Sequence, residues 1–313
     1  MQQHKPNAAY TAGPSVRRRS GPKWKNAAVS KQGSPSDGSG GEVHFSYAAP
    51  GDGWFRRVAI HVIEHITGQP RLKAMYEDYI AAPNRFSSFW DAAIDYLDLD
   101  IDADQTAIEM IPAAGPLVLV ANHPFGVVDG LVAGHLVHKV RQDFKIIANA
   151  VLLRAPEIDP FVLPIDFEET PEALKTNIET RKLARQHLNG GGCLIILPAG
   201  GVATAPSPFE RNALEADWKN FTGRLVIQTR ASVVPLYFEG QNSRAFHVAS
   251  HISQTLRLSL LFREACKQIG TRIKVHVGAP LAPDDLSEFE SATHLTDHLR
   301  TKTLSLNTHH DVN

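Results

Sequence analysis

Cysteine is scarce in this chain of 313 residues, which contains only Cys193 and Cys266. Two cysteines cannot build the disulfide framework on which small secreted domains depend, and such sparse usage is typical of a reducing compartment. Cys193 begins the apolar run Cys193–Leu197 and is predicted to be a buried thiol. We therefore expect an apolar core, and not covalent cross-links, to hold the fold together.

Long apolar runs are also missing, and the chain carries almost no net charge. The longest apolar runs, such as Pro116–Ala121, are far shorter than the roughly 18–20 residues that cross a bilayer, so we expect no transmembrane segment. The formal net charge is -1, whereas nucleic-acid-binding domains usually carry a net basic field, so we expect no nucleic-acid partner. Hydrophobic residues make up 43% of the chain, which is enough for one large core or two smaller ones.

The first 110 residues divide into two predicted segments. Residues 1–45 are rich in Gly, Ser, Pro, Lys and Arg and are predicted to be a disordered basic tail, either solubilising or bound to anionic lipid. Residues 46–110 are predicted to be a helical N-terminal element, because apolar residues recur at helical spacing from Trp54 to Ile66. That apolar stripe could dock on the core or lie in a membrane interface.

From residue 111 to 305 the pattern alternates between short apolar runs and helical stretches. This alternation predicts an α/β domain with a largely parallel central sheet flanked by helices. Thr170 followed by Pro171 predicts the start of one helix, and the glycines at 190–192 predict its end. The predicted buried strands are Pro116–Ala121, Phe144–Ala148, Phe161–Ile165, Cys193–Leu197, Val233–Phe238 and Arg272–Val277.

The residues that follow the first of these strands combine a histidine, an aspartate and turn-forming residues in the stretch Asn122–Asp129. Pro124 disfavours helical geometry at His123, and Gly126 allows the backbone to bend, so His123 is expected on a turn. A helix is expected to start near residue 127, with Asp129 in its first turn. The loop would let the carboxylate reach the imidazole, fix its tautomer and leave the other ring nitrogen to take a proton from a hydroxyl.

Other interpretations of the histidines also exist. His123 could be a helix cap or a satisfied polar residue, and Asp129 could form a metal cluster with His135 and His138. The segment His61–His65 matches the H-x-x-E-H pattern of inverted zinc peptidases, in which Glu64 would be the base. The G-x-S-x-G pattern of a serine-hydrolase nucleophile is missing, which argues against a covalent acyl-enzyme.

The stretch Asn-His-Pro-Phe-Gly-Val-Val-Asp-Gly at 122–130 resembles the first conserved block of the glycerolipid (lysophospholipid) acyltransferases. Five residues separate His123 from Asp129, where the common form of the family has four. This longer spacing, with the Pro and Gly, is similar to the hemolysin-like and ornithine-lipid O-acyltransferase branch.

Two later stretches resemble further blocks of the same family. Residues 194–204 are similar to its apolar strand followed by Pro-x-Gly, and residues 232–243 to its last block, a strand with an internal proline. The common form has an acidic residue where this chain has Ala199, which leaves the acceptor head group open. Taken alone, the glycine pair predicts a turn, and the proline predicts an edge strand.

The resemblance covers about residues 55–280 and implies site residues as well as a fold. His123 would be the general base and Asp129 would orient it. The substrate-binding positions that it implies are Asn122, Gly126, Arg154, Pro198, Gly200 and Gly201. Arg154 would contact an acceptor phosphate or lie solvated in a loop, and the backbone N–H groups at the glycine pair would bind a head group or an oxyanion.

The activity that the resemblance implies is transfer of a fatty acyl group to a lysolipid hydroxyl. The donor would be acyl-ACP or acyl-CoA, and no metal or redox cofactor is expected. The acceptor stays open among lysophosphatidic acid, another lysophospholipid and a lyso-aminolipid. The expected partners are a membrane lipid surface and the acyl carrier protein or coenzyme A thioester, at the inner face of the membrane in the cytoplasm. A lipid-binding relative without turnover is the alternative that is not an enzyme.

Overall fold

The computed structural model describes residues 68–149 and 156–307. The predicted basic tail, the helical stripe at 54–66, the H-x-x-E-H segment at 61–65 and Arg154 lie outside the described residues. The structural expectations for those segments therefore stay predictions.

Seven strands and ten α-helices alternate along the described residues, with short 3-10 turns at Pro83–Arg85 and Asp159–Phe161. The strands are β1 (Asp100–Ala103), β2 (Leu117–Ala121), β3 (Phe144–Asn149), β4 (Val162–Ile165), β5 (Cys193–Ile196), β6 (Ser232–Phe238) and β7 (Arg272–Val277). The first five helices are α1 (Gln69–Ala81), α2 (Phe89–Tyr96), α3 (Gln105–Glu109), α4 (Val127–His138) and α5 (Pro171–Asn189). The others are α6 (Phe221–Thr229), α7 (Arg244–Ile252), α8 (Gln254–Lys267), α9 (Pro283–Leu286) and α10 (Ala292–Leu304).

The strands form one sheet in the order β1-β7-β6-β2-β5-β3-β4. Every neighbouring pair is parallel except β6 and β7, which are antiparallel. The prediction of a largely parallel sheet flanked by helices is therefore confirmed, as are the six predicted strands to within one residue at either end. The predicted helix at Thr170 is confirmed too: the Thr170 hydroxyl accepts from the N–H of Ala173, and the helix ends at Asn189 before the glycines.

Two apolar cores cover the two faces of this sheet, and β2 contributes to both. Leu117, Leu119 and Ala121 point into one core, which is completed mainly by α2 and α4. Val118 and Val120 point into the other, together with residues of α5, α6 and α10. Burial on both faces explains why β2 is an unbroken apolar run, since alternation of polar and apolar residues is expected only where one face meets water.

One edge strand lies inside the segment 46–110 that we predicted to be helical. β1 pairs in parallel with β7, so this segment contributes a strand to the central sheet in addition to α1–α3. The predicted helical N-terminal element therefore holds three helices in its described part and, in addition, a strand that was not predicted. The four residues Asp-Ile-Asp-Ala form a half-exposed edge strand, which carries too few apolar positions to reveal itself.

Pro235 does not mark an edge strand, because β6 lies between β2 and β7. The proline is accommodated where the pairing with β7 is interrupted, between the Leu236–Val277 pair and the isolated bridge from Val233 to Leu281. The Pro235 carbonyl still accepts from the N–H of Gly278, at 2.8 Å. A break in the ladder is the other place where a strand tolerates a missing N–H.

Candidate active site

The polar residues singled out in the sequence gather at one edge of the sheet. β2, β5 and β6 run parallel, so the segments that follow them leave the sheet at the same end. His123 follows β2, Pro198–Gly201 follow β5, and Glu239 follows β6. The carboxyl ends of neighbouring parallel strands are where ligands bind in open α/β sheets.

His123 and Asp129 are in direct contact. The Nδ1 atom of His123 lies 2.8 Å from Oδ2 of Asp129, with the imidazole 18% exposed and the carboxylate fully buried. Asp129 stands in the first turn of α4, which begins at Val127 as predicted. The predicted loop geometry is therefore confirmed: the bend between the two residues lets positions six apart face each other.

The Asp129 carboxylate also caps helix α4. Its Oδ2 atom accepts from the backbone N–H groups of Phe125 and Gly126, each at 2.9 Å. Two main-chain N–H donors on one oxygen favour the ionised carboxylate, in which case the third contact, with His123, is an Nδ1–H donor. Burial raises the pKa of the Asp129 carboxyl, and the hydrogen bonds from His123, Phe125 and Gly126 oppose that rise.

This arrangement leaves the Nε2 atom of His123 as the unprotonated ring nitrogen. Among residues 68–149 and 156–307, Nε2 has no hydrogen-bond partner. An imidazole with one nitrogen fixed by a carboxylate and the other available is arranged to accept a proton from a hydroxyl.

Gly126 is required by the backbone at the start of α4. Its φ of 87° lies in the left-handed region, which side chains disfavour. A Cβ atom there would lie 3.1 Å from Leu261 Cδ2 and 3.4 Å from Val202 Cγ2. Gly126 therefore shapes the turn that carries His123, and the predicted contact with substrate stays a prediction.

Asn122 is buried and fastens the end of β2 to the end of β6. Its side-chain amide donates to the carbonyl of Phe238 at 3.0 Å, and its oxygen accepts from the Phe238 N–H at 2.7 Å. Both polar atoms are thus engaged within the protein. Asn122 thereby positions the strand end that His123 follows, and its predicted contact with substrate stays a prediction.

The loop after β5 lies beside His123, as the resemblance implied. The N–H of Ala203 donates to the His123 carbonyl at 2.7 Å, and the Pro198 carbonyl accepts from the backbone N–H of Lys219 at 3.0 Å. The N–H of Gly200, however, donates to the Leu197 carbonyl at 3.0 Å in a tight turn. The prediction that both glycines offer unshielded N–H groups is therefore wrong for Gly200, whereas the N–H of Gly201 has no recorded acceptor within the described residues.

Glu215 is a site residue that sequence reasoning missed. Its Oε2 atom accepts from the backbone N–H of His123 at 3.2 Å, and its Oε1 atom accepts from the Trp218 indole at 3.1 Å. Burial raises the pKa of the Glu215 carboxyl, and the nearby Asp129 contributes to the rise. A second carboxylate therefore holds the turn of His123 through the main chain. The only sequence signal was an acidic residue three positions before a tryptophan, within a loop without periodicity.

The alternative metal cluster is not formed. Asp129 turns toward His123, and His135 instead places Nδ1 3.1 Å from Oδ1 of Asp91 on helix α2. Within the described residues, no group of three or more His, Cys, Asp or Glu side chains could hold a metal ion.

Comparison with known proteins places this site in a family. A family model described as "Acyltransferase" matches residues 88–313. The chain is 27% identical over 205 residues to the lyso-glycine lipid O-acyltransferase of Phocaeicola vulgatus, covering 64% of this chain and 68% of that one. It is 26% identical over 170 residues to the lyso-glycine lipid O-acyltransferase of Bacteroides thetaiotaomicron, covering 54% of this chain and 58% of that relative.

A solved structure is also similar, although distantly. It is the 1-acyl-sn-glycerophosphate acyltransferase of Thermotoga maritima, which is 14% identical and aligns over 80% of this chain and 96% of that one with a TM-score of 0.45. The likeness is too remote to bear on the geometry of the site.

Since the family match spans residues 88–313, the chain belongs to this acyltransferase family, within the lysophospholipid acyltransferase superfamily. The protein is an O-acyltransferase enzyme. This membership favours an enzyme over a lipid-binding relative without turnover, whereas the H-x-x-E-H segment at 61–65 lies outside both the matched and the described residues.

Proposed function

We propose that this protein transfers a fatty acyl group from a thioester, acyl-ACP or acyl-CoA, to the hydroxyl of a lysolipid of the glycine-lipid type. The observation that supports it most directly is the His123–Asp129 contact at the carboxyl edge of the sheet. The acceptor class rests on the two relatives that carry the lyso-glycine lipid name. Ala199, where the common form of the family has an acidic residue, fits an acceptor other than lysophosphatidic acid.

In the proposed reaction, the acceptor hydroxyl hydrogen-bonds to Nε2 of His123. The imidazole takes the hydroxyl proton as the oxygen attacks the thioester carbonyl carbon. Asp129 stabilises the imidazolium that forms, through Nδ1. The tetrahedral intermediate then collapses, the C–S bond breaks, and His123 returns the proton to the sulfur, which leaves as the free thiol.

The developing oxyanion requires a hydrogen-bond donor near His123. The N–H groups of Gly201 and Val202 are the candidates, because the neighbouring N–H groups of Gly200 and Ala203 are already engaged with carbonyls. Preorganised N–H donors of this kind account for a large part of many enzymatic rate enhancements. In this proposal Gly201 keeps its predicted role, and Gly200 contributes only the turn.

Exposed apolar side chains around the site fit a lipid surface as the place of work. Phe167 is 55% exposed and lies beside Gly200, where a Cβ atom would be 3.7 Å from its ring. Leu214 is 59% exposed and directly precedes Glu215, and Phe209 is 87% exposed in the same loop. None of the helices in the described ranges is long and apolar enough to span a bilayer. We propose peripheral association with the inner face of the membrane.

The test is an acyl-transfer assay with purified protein, liposomes, labelled acyl-ACP or acyl-CoA and a panel of lysolipid acceptors. We expect transfer to the lyso-glycine lipid and loss of transfer in His123→Ala. An active wild type that prefers lysophosphatidic acid would overturn the proposed acceptor. Equal activity of His123→Ala and wild type would overturn the proposed base.

A further inference from the structure

The loop that follows β5 is lined by an arginine from a distant part of the chain. Arg257 on helix α8 donates from Nη2 to the Val202 carbonyl at 2.6 Å. A Cβ atom on Gly201 would lie 3.6 Å from the same nitrogen. Val202 is followed by Ala203, whose N–H contacts the His123 carbonyl. The guanidinium therefore lies along the loop that touches the main chain of the catalytic histidine.

The charge of Arg257 has no acidic partner among the residues that the structure describes. Its recorded contacts are the Val202 carbonyl and the Phe246 ring, whose centroid lies 5.8 Å from Cζ. The side chain is half-buried, and burial lowers the pKa of the guanidinium. Charged groups taken out of water are normally paired, so an unpaired one beside a site requires an explanation.

Arg141 shows how this chain treats a structural arginine. Its guanidinium is buried and binds both oxygens of Asp143, at 2.6 and 2.7 Å. It also donates to the carbonyls of Pro112, Gly115 and Gly191. Arg141 is thus saturated by protein acceptors, whereas most N–H groups of Arg257 are left for something else.

The space in front of Arg257 is kept open by glycine. A side chain at Gly201 would stand in van der Waals contact with Nη2, where a ligand atom could otherwise approach. A guanidinium presents a planar fork of N–H donors that matches the two oxygens of a carboxylate. A glycine that is acylated on its nitrogen keeps no basic amine and carries only its carboxylate.

We propose that Arg257 binds the head-group carboxylate of the acceptor and thereby determines the enzyme's preference for an anionic lysolipid. The inference rests on the proposed function, because it requires an acceptor of the glycine-lipid type. Arg257 is a specificity-determining residue in this scheme: it holds the acceptor while His123 acts on the hydroxyl.

The experiment compares two acceptors that differ only in charge, a lyso-glycine lipid and its neutral primary amide. Wild type, Arg257→Gln, Arg257→Lys and Arg263→Gln are assayed with both acceptors at a saturating thioester concentration, and the KM for the thioester is measured separately by varying its concentration. Arg263 is exposed on the same helix and serves as the matched control. Thermal unfolding of each variant is recorded in parallel.

We expect wild type to prefer the carboxylate. Arg257→Gln should lower kcat/KM for the carboxylate acceptor by about 10- to 100-fold, the range for a lost hydrogen bond between charged groups, and leave the amide within about 3-fold of wild type. Arg257→Lys should fall between the two because it keeps the charge without the fork. Arg263→Gln should resemble wild type on both acceptors.

Four results would overturn the inference. An equal loss on both acceptors would show a structural role, and a raised KM for the thioester with unchanged acceptor preference would assign Arg257 to the donor. A wild type that is active on the glycine lipid while Arg257→Gln keeps the full preference would refute the role of Arg257 alone. A wild type active on neither glycine acceptor but active on another lysolipid would refute the proposed acceptor, and the inference with it.

Discussion

Helix α4 contributes to two histidine–carboxylate pairs, and only one of them lies at the carboxyl edge of the parallel strands. His123 precedes the helix and contacts Asp129 in its first turn, at the carboxyl edge of the sheet. His135 lies near the other end of α4 and faces Asp91 of helix α2, whose carboxylate also accepts from the hydroxyls of Ser87 and Ser88. The residue types are the same, but the first pair is built within one bend of the chain and the second joins two helices.

The groups around each histidine determine whether its imidazole can exchange a proton with a substrate. At the first pair, the strand end and the loop after β5 surround an imidazole whose Nε2 atom is available. At the second pair, the helices are in close contact: a Cβ atom on Gly134 would lie 2.3 Å from the ring of Trp90. We therefore assign catalysis to His123 and helix packing to His135.

The largest expected effect is that of removing the base. His123→Ala should lower kcat by about a thousand- to ten-thousand-fold, since the imidazole is the proposed acceptor of the hydroxyl proton. His135→Gln, the matched change at the second pair, should leave kcat within about 3-fold of wild type. Steady-state acyl transfer measures both. A comparable loss in His135→Gln would contradict the assignment of catalysis to His123 alone.

Next in size is the effect of replacing the orienting carboxylate. Asp129→Asn should lower kcat by about a hundred- to a thousand-fold, because the amide keeps an acceptor for the N–H groups of Phe125 and Gly126 but cannot stabilise the imidazolium. Asp91→Asn is the matched control and should retain activity. Circular dichroism checks that both variants fold. Full activity of a folded Asp129→Asn protein would contradict the orienting role.

A smaller effect is expected from crowding the second pair. Gly134→Ala should lower the free energy of unfolding by about 1–3 kcal/mol, because the added methyl group meets the ring of Trp90 in a packed core. Denaturant titration measures this change. The folded fraction should keep its kcat, because the pair at His123 is untouched. Loss of kcat without loss of stability would show that the two ends of α4 are coupled.

The smallest effect concerns the pH dependence of stability. The pKa of His135 is lowered by burial and by the nearby Lys139, so the folded protein favours the neutral ring. The unfolded chain takes up this proton near pH 6.5, so the contribution of His135 to stability is present above that pH and is lost as the pH falls below it. His135→Gln should therefore show a smaller decline in unfolding free energy between pH 7.5 and 5.5. An identical decline in wild type would exclude this role.

Most of the sheet could be predicted because its strands are buried on both faces. Strands such as Leu117–Ala121 and Cys193–Ile196 can be recognised without knowledge of their partner strands. A short apolar run between turn residues indicates a buried strand when strands and helices alternate along the chain. β1 could not be predicted, because its sequence Asp-Ile-Asp-Ala gains its place only by pairing with β7, 172 residues further on. The antiparallel pairing of β7 with β6 likewise leaves no signal in the local sequence.

The site divides in the same way. The contact of His123 with Asp129 could be predicted because both residues belong to one turn, whose geometry Pro124 and Gly126 dictate. Glu215 and Arg257 could not, because their positions depend on loops and helices that fold back from 92 residues and 55 residues away from their contacts at His123 and Val202. The engaged N–H of Gly200 was missed because a glycine pair does not reveal which of its amides closes the turn.

The side chain of Asn122 extends the sheet by one rung without extending the strand. Its amide offers the same donor and acceptor as a peptide group and pairs with both main-chain atoms of Phe238, across 116 positions of sequence. The backbone at Asn122 can therefore turn away from the sheet, while both main-chain polar atoms of Phe238 keep their hydrogen bonds. The side-chain amide of Asn122 thus takes the place of a peptide group directly before the catalytic histidine. Asn122→Asp is isosteric but cannot donate to the Phe238 carbonyl, so it should weaken the support of the turn that carries His123 without changing the shape of the site.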